Sequence, residues 1–143
     1  MTGEILYPFP ATVFHKKTAW TRHGSPAVPP GGAGLGGVIT PTGVGTLVEN
    51  SPLVRGKVNY DGKDYLVMKP LRADVALIGA YKVDKAGNVW YKGSAQNFNR
   101  VMATAADLVI VEAEELVEVG EIEPENVMTP GILVNYIVVR EGK

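Results

Sequence analysis

Seven glycines and three threonines fall within sixteen positions, GGAGLGGVITPTGVGT over residues 31–46. Glycine lets other backbone or a ligand approach closely, and it tolerates φ > 0. Consecutive N–H groups in such a stretch can form an anion-binding concavity. Gly31, Gly32, Gly34, Gly43 and Gly45, with the hydroxyls of Thr40, Thr42 and Thr46, are therefore candidates for a loop that faces a substrate or a partner. The same glycines would equally serve tight packing against a sheet, and both readings stay open. Ordinary phosphate cradling is excluded, because no clear strand precedes the segment and the Gly-Lys-Ser/Thr ending of a P-loop is missing.

A second set lies in SAQNFN, residues 94–99. Asn97 and Asn99 flank Phe98 just before a run of good helix formers. Asn is a preferred N-cap, and an amide not used in capping could face an interface. A nucleophile is harder to find. The chain has no Cys, so thiolate chemistry, disulfides and Cys-ligated zinc are excluded. Its two histidines, His15 and His23, have no metal-ligand spacing, and no metal site is expected. Glu118-Val119-Gly120-Glu121 and Glu141-Gly142 place acids beside glycine, but in charged, surface-like surroundings where a hydrated carboxylate is a poor nucleophile. Tyr60, Tyr65 and Tyr81 read as packing residues, since an unperturbed phenol titrates about three units above neutrality. No catalytic residue is assigned in this chain.

The elements that must hold these residues are mostly short strands. Hydrophobic residues make up 45% and charged residues 20% of 143 residues, ordinary for one globular domain. A net charge of −1 gives no field for nucleic acid or an anionic membrane. No apolar run spans a bilayer and no signal-peptide pattern is present, so a cytoplasmic location is expected. Residues 1–30 are rich in proline and lack helical periodicity, predicting an irregular arm with at most a short edge strand at Glu4–Tyr7 or Thr12–His15.

Beyond it, Lys57–Tyr60 and Lys63–Met68 flank Asp61-Gly62, a strong hairpin signal. Asp74–Tyr81, Leu108–Glu112 and Ile132–Val139 read as strands buried on both faces. Val89–Lys92 reads as a short strand, with Trp90 and Tyr91 on opposite faces. Ala86-Gly87-Asn88 and Pro130-Gly131 read as turns, Glu114–Glu118 as surface, and Arg140–Lys143 as a solvated tail. A helix is predicted over Arg100–Ala105, capped by Asn97 or Asn99. Arg72 and Asp74 suggest a local ion pair. The fold class is α/β, an open mixed sheet, strand-rich with few short helices.

From Gly31 onward the chain resembles the alpha subunit of family I coenzyme A transferases. The resemblance rests on GGAGLGGVITPTGVGT (31–46), DGKDYLVMKPLRADVALI (61–78), GNVWYKGSAQNFN (87–99) and MATAADLVIVEAEELVEVGEIEPENVMTPGILV (102–134), in the family's order and over about four-fifths of the chain. Gly-Gly-Ala-Gly-Leu-Gly-Gly resembles the acetate or butyrate–acetoacetate type. Two departures stand out. The family's longer N-terminal half has no counterpart in residues 1–30, and Gln96 stands where the family usually has Arg, which removes a fixed charge with bidentate donors.

The resemblance implies a domain over residues 31–143 that is the C-terminal part of a CoA-transferase alpha subunit. It implies coenzyme A as substrate rather than cofactor, short acyl-CoA and carboxylate substrates, and an oligomer with a beta subunit whose glutamate is the nucleophile. The chain would then be inactive alone. The alternative is a non-catalytic remnant of the same fold that self-associates through its exposed sheet or glycine-rich loop.

Overall fold

The computed structural model describes residues 12–15, 18–21 and 31–140. Among the described residues, nine strands lie in two sheets. The larger sheet has the order β2-β1-β6-β8-β9, with β7 also on β6. Here β1 is Thr12–His15, β2 Thr18–Thr21, β6 Ala73–Asp84, β7 Val89–Trp90, β8 Ala106–Val117 and β9 Tyr136–Val139. The pairs β6–β8 and β8–β9 are parallel, and β1–β2, β1–β6 and β6–β7 antiparallel. The expected open mixed sheet is borne out. The smaller, antiparallel sheet has β5 (Lys63–Met68) between β3 (Val38–Thr40) and β4 (Val54–Tyr60).

The main core forms where β6 and β8 run parallel. Ala76, Ile78 and Ala80 alternate with Val109, Val111 and Ala113 on one buried face, and helix α1, Gln96–Thr104, lays Met102 and Ala103 on it. The opposite face, with Val75, Leu77 and Ile110, is only half-buried. The apolar runs of Ala73–Asp84 and Ala106–Val117 are thus buried on one face, not two, and Tyr136–Val139 is largely exposed. Tyr91 is sealed in this core, its hydroxyl 2.8 Å from the Thr129 hydroxyl. Burial pushes its phenol up to about 12, so it keeps its proton at neutral pH. Tyr91→Phe is expected to lower stability by about 1–2 kcal/mol, because the Thr129 hydroxyl loses its partner; urea unfolding measures this. Trp90 faces the other way, edge-on to Tyr81 at 5.4 Å between ring centroids.

The Asp61-Gly62 hairpin forms as expected, with φ of +51° and +78° at its two turn residues. The Ala86-Gly87-Asn88 turn also forms, with Gly87 at φ +89°. Several boundaries differ. The strand expected at Asp74–Tyr81 extends over Ala73–Asp84, and that at Leu108–Glu112 over Ala106–Val117. The pairing continues to Asp84↔Val117 and takes in most of the stretch expected as surface, with Glu115 paired to Lys82 at 3.1 Å. The strand at Val89–Lys92 stops at Trp90.

Ile132–Val139 divides: Gly131–Leu133 is a turn of 3₁₀ helix, and only Tyr136–Val139 pairs. Asn135 fixes that start, its Oδ1 accepting from the Val109 N–H at 2.7 Å. Thr12–His15 is a strand but not an edge one, because β2 lies outside it. Glu4–Tyr7 and residues 141–143 lie outside the described residues. Arg72 pairs with Asp107 at 2.9 Å instead of forming the expected local pair with Asp74.

Candidate functional site

Helix α1 separates the two candidate asparagines. Its N-cap is Ala95, with no side-chain cap hydrogen bond, so neither Asn97 nor Asn99 has the expected capping role. Both sit in the first turn. At 100° per residue they point to nearly opposite sides. Asn99 is buried and donates from Nδ2 to the Gly79 carbonyl at 2.8 Å, tying the helix to β6. Its Oδ1 is buried without a hydrogen-bond partner among the described residues. Asn97 is exposed on the outer face, beside Gln96 and one turn before Arg100.

The glycine-rich segment is split in the same way. Gly31 lies against Leu71, and its carbonyl accepts from Arg72 Nη1 at 3.2 Å while Arg72 Nη2 holds Asp107. Gly32 abuts Thr104 at the end of α1. Gly34 has φ +70° and open space beside its Cα. Val38–Thr40 is a strand of the smaller sheet, and the turns that follow it satisfy their own polar groups. Thr40 Oγ1 accepts from the Thr42 N–H at 3.1 Å. Thr46 Oγ1 donates to the Gly43 carbonyl at 2.8 Å and accepts from the Val48 N–H at 3.2 Å, capping the 3₁₀ turn Leu47–Asn50. The Gly45 N–H donates to Glu49 Oε1 at 2.6 Å. These groups are committed to a turn.

Glu49 continues this turn into the hairpin. It pairs with Lys57 at 3.3 Å, and Lys57 with Asp64 at 3.0 Å. The Gly45 N–H and then Lys57 hold the Glu49 carboxyl below its ordinary range, and Asn59 and then Lys57 do the same for Asp64. A lowered carboxylate pKa contributes stability above the unfolded value and loses it as pH falls through the folded one. The three side chains keep between 31% and 43% of their surface in solvent, so screening makes the contribution small. Lys57→Met is expected to move the Glu49 midpoint upward, though still below an ordinary glutamate because the Gly45 bond remains. A carboxyl ¹³C NMR titration reads this.

One groove brings candidates from both sets together. It has a volume of about 490 Å³ and lies between Gly32–Ala33, the outer face of α1 and the loop Met128–Leu133. Of the ten candidate residues it takes in Gly32 and Asn97, and it leaves out Gly31, Gly34, Thr40, Thr42, Gly43, Gly45, Thr46 and Asn99. It adds Arg100, which sequence reasoning left as an ordinary helix residue. The available signal was spacing: Gln96, Asn97 and Arg100 at i, i+1 and i+4 share a helix face. Val101, Met128 and Leu133 supply apolar wall. A cation, two amides and apolar surface suit an amphiphilic anion or an interface loop. Among the described residues no cluster of His, Cys, Asp or Glu could hold a metal ion, and no helix is long and apolar enough to cross a membrane.

Acetate CoA-transferase subunit alpha of Escherichia coli K12 is 50% identical over 111 residues, covering 78% of this chain and 49% of that one. The acetoacetyl-CoA:acetate/butyrate CoA transferase alpha subunit of Clostridium acetobutylicum is 56% identical over 108 residues, 76% of this chain and 48% of that one. This chain therefore spans about half the length of the curated relatives it matches. Among solved structures, the apoenzyme of an acyl-CoA transferase from E. coli O157:H7 superposes with a TM-score of 0.71 at 25% identity, covering 79% of this chain and 25% of that one. Glutaconate coenzyme A-transferase from Acidaminococcus fermentans shares the fold, with a TM-score of 0.65 at 21% identity over 79% of this chain and 42% of that one. The family model for coenzyme A transferase matches residues 28–140, and the chain belongs to that family.

Proposed function

We propose that this chain forms part of an alpha-type subunit of a CoA-transferase that exchanges coenzyme A between a short acyl-CoA, such as acetoacetyl-CoA, and a carboxylate such as acetate. Residues 31–143 are the family-like domain, to whose larger sheet Thr12–His15 and Thr18–Thr21 add two strands, and the location is cytoplasmic. The observation that carries the reading is the 50–56% identity to alpha subunits named for acetate and acetoacetyl-CoA. The chain's own described acids support the division of labour. Glu49, Glu115 and Glu118 are in exposed ion pairs, and a solvated, paired carboxylate is a poor nucleophile.

In this reading a beta subunit supplies the reactive glutamate. Its carboxylate oxygen attacks the thioester carbonyl, the C–S bond breaks, and CoA thiolate leaves an acyl-glutamyl anhydride. The thiolate attacks the glutamyl carbonyl and expels the first acid, leaving a glutamyl-CoA thioester. The second acid reverses these steps and leaves with the coenzyme A. Proton and electron counts balance without a redox cofactor or metal. The alpha chain contributes a wall of the site through Gly32, Asn97 and the groove they share. Asn99, tied to Gly79, and Gly31, packed on Leu71, position that wall, while Gly34, Thr40, Thr42, Gly43, Gly45 and Thr46 form a separate loop that faces the partner.

The test is co-purification with a beta-type CoA-transferase chain, then incubation with acetoacetyl-CoA and trapping by hydroxylamine. The expected result is a glutamyl hydroxamate on the companion and no turnover by either chain alone. Turnover of acetoacetyl-CoA plus acetate without that adduct would overturn the mechanism.

A further inference from the structure

Gln96, Asn97 and Arg100 are three polar side chains on one face of α1, and none makes a hydrogen bond or ion pair among the described residues. They contrast with the neighbouring polar groups of the groove. Thr104 Oγ1 donates to the Val101 carbonyl at 2.7 Å, and the Thr129 hydroxyl is held by Tyr91. Among the described residues, Arg100 is the only charged one lining the groove.

We infer that the groove seats a small aliphatic monocarboxylate, with its carboxylate on Arg100 and the amides of Gln96 and Asn97, and its hydrocarbon chain on Val101, Met128 and Leu133. A guanidinium matches a carboxylate with two parallel N–H donors, and primary amides add N–H donors for its remaining lone pairs. A volume of about 490 Å³ leaves room beyond a two-carbon acid. One cation opposite an apolar wall selects a monoacid: the second carboxylate of a dicarboxylic acid of similar length would lie on Met128 and Leu133, unpaired and partly desolvated. The identification of this acid with the acceptor of the exchange rests on the proposed function; the seat itself does not.

The four methionines are Met1, Met68, Met102 and Met128. Met128 lines the groove and Met68 belongs to the core of the smaller sheet, so the two methyls serve as reporter and control. The full chain, labelled with ¹³C-methyl methionine, is titrated with butyrate, butyramide and succinate against sodium chloride at matched ionic strength. Butyrate is expected to shift the Met128 methyl saturably and leave Met68 unmoved. Arg100→Gln, or replacement of butyrate by uncharged butyramide, is expected to weaken binding by about tenfold or more, as loss of a charge-assisted hydrogen bond does. Succinate is expected to bind more weakly than butyrate. A static Met128 methyl, an equal response to butyramide, or full affinity in Arg100→Gln would overturn the inference. The two readings fail separately: the hydroxamate trap on the wild-type complex tests the transferase function, and the Met128 titration on this chain tests the seat.

Discussion

Asp84→Ala is expected to cost about 3–5 kcal/mol of folding stability, a large effect for one side chain, because it breaks a buried charged hydrogen-bond network. Asp84 is the last residue of β6 and is 2% exposed. Its Oδ1 accepts from the N–H groups of Ala86 and Asn88 at 2.9 and 2.8 Å, and its Oδ2 from Asn88 Nδ2 at 2.8 Å. Asn88 in turn presents Oδ1 to the Gly131 N–H at 3.0 Å. One carboxylate thus closes the turn to β7 and, through Asn88, fixes the loop that walls the groove. Alanine leaves three donors short of a partner.

Asp84→Asn should fall between, since it keeps one acceptor but turns an N–H₂ group toward a donor of Asn88. The measurement is urea unfolding, with a lowered midpoint at unchanged slope. A loss below about 1 kcal/mol would mean that water takes over the role of the carboxylate. Butyrate binding read at Met128 should weaken in the same variant, because the Met128–Leu133 wall loses its anchor.

The parts of this arrangement legible in the sequence are those set by one local rule. Asp61-Gly62 announces its hairpin because two adjacent residues must take positive φ. The strands around Ile78 and Val109 show as apolar runs. What was not legible depends on partners distant in the chain. The β8 strand outruns its apolar stretch because Lys82 and Val83 continue the parallel pairing opposite Glu115 and Leu116. Charges are tolerated there since that end is exposed. Arg72 finds Asp107 across the sheet, a choice no local spacing announces. The groove is built from three segments, and Met128 and Leu133 had no visible reason to be singled out. Asn97 and Asn99 stand two residues apart, and on a helix such positions face different environments, Asn99 the core and Asn97 the groove.

The glycine-rich segment poses the harder choice, between packing and ligand contact, and Gly31→Ala decides it at one end. A Cβ at Gly31 would overlap the Leu71 carbonyl oxygen and lie 2.6 Å from its carbon. That backbone has little room to yield, since Ala73 beyond it donates to the Ala105 carbonyl at 2.9 Å and Lys69 before it donates to the Leu53 carbonyl at 2.7 Å. The methyl must therefore displace Gly31 itself, and with it the carbonyl that Arg72 holds. Overpacking of this kind costs about 3 kcal/mol.

Gly36 is the control within the same segment: nothing lies within 4 Å of its added Cβ, and its φ is not in the left-handed region. Gly36→Ala is expected to stay within about 0.5 kcal/mol of the parent. Denaturation of both variants, read with the Met128 titration, separates the roles. If Gly31 were kept for a ligand, Gly31→Ala would unfold like the parent and lose butyrate affinity. If it is kept for packing, the unfolding midpoint falls steeply, and the molecules that remain folded still bind.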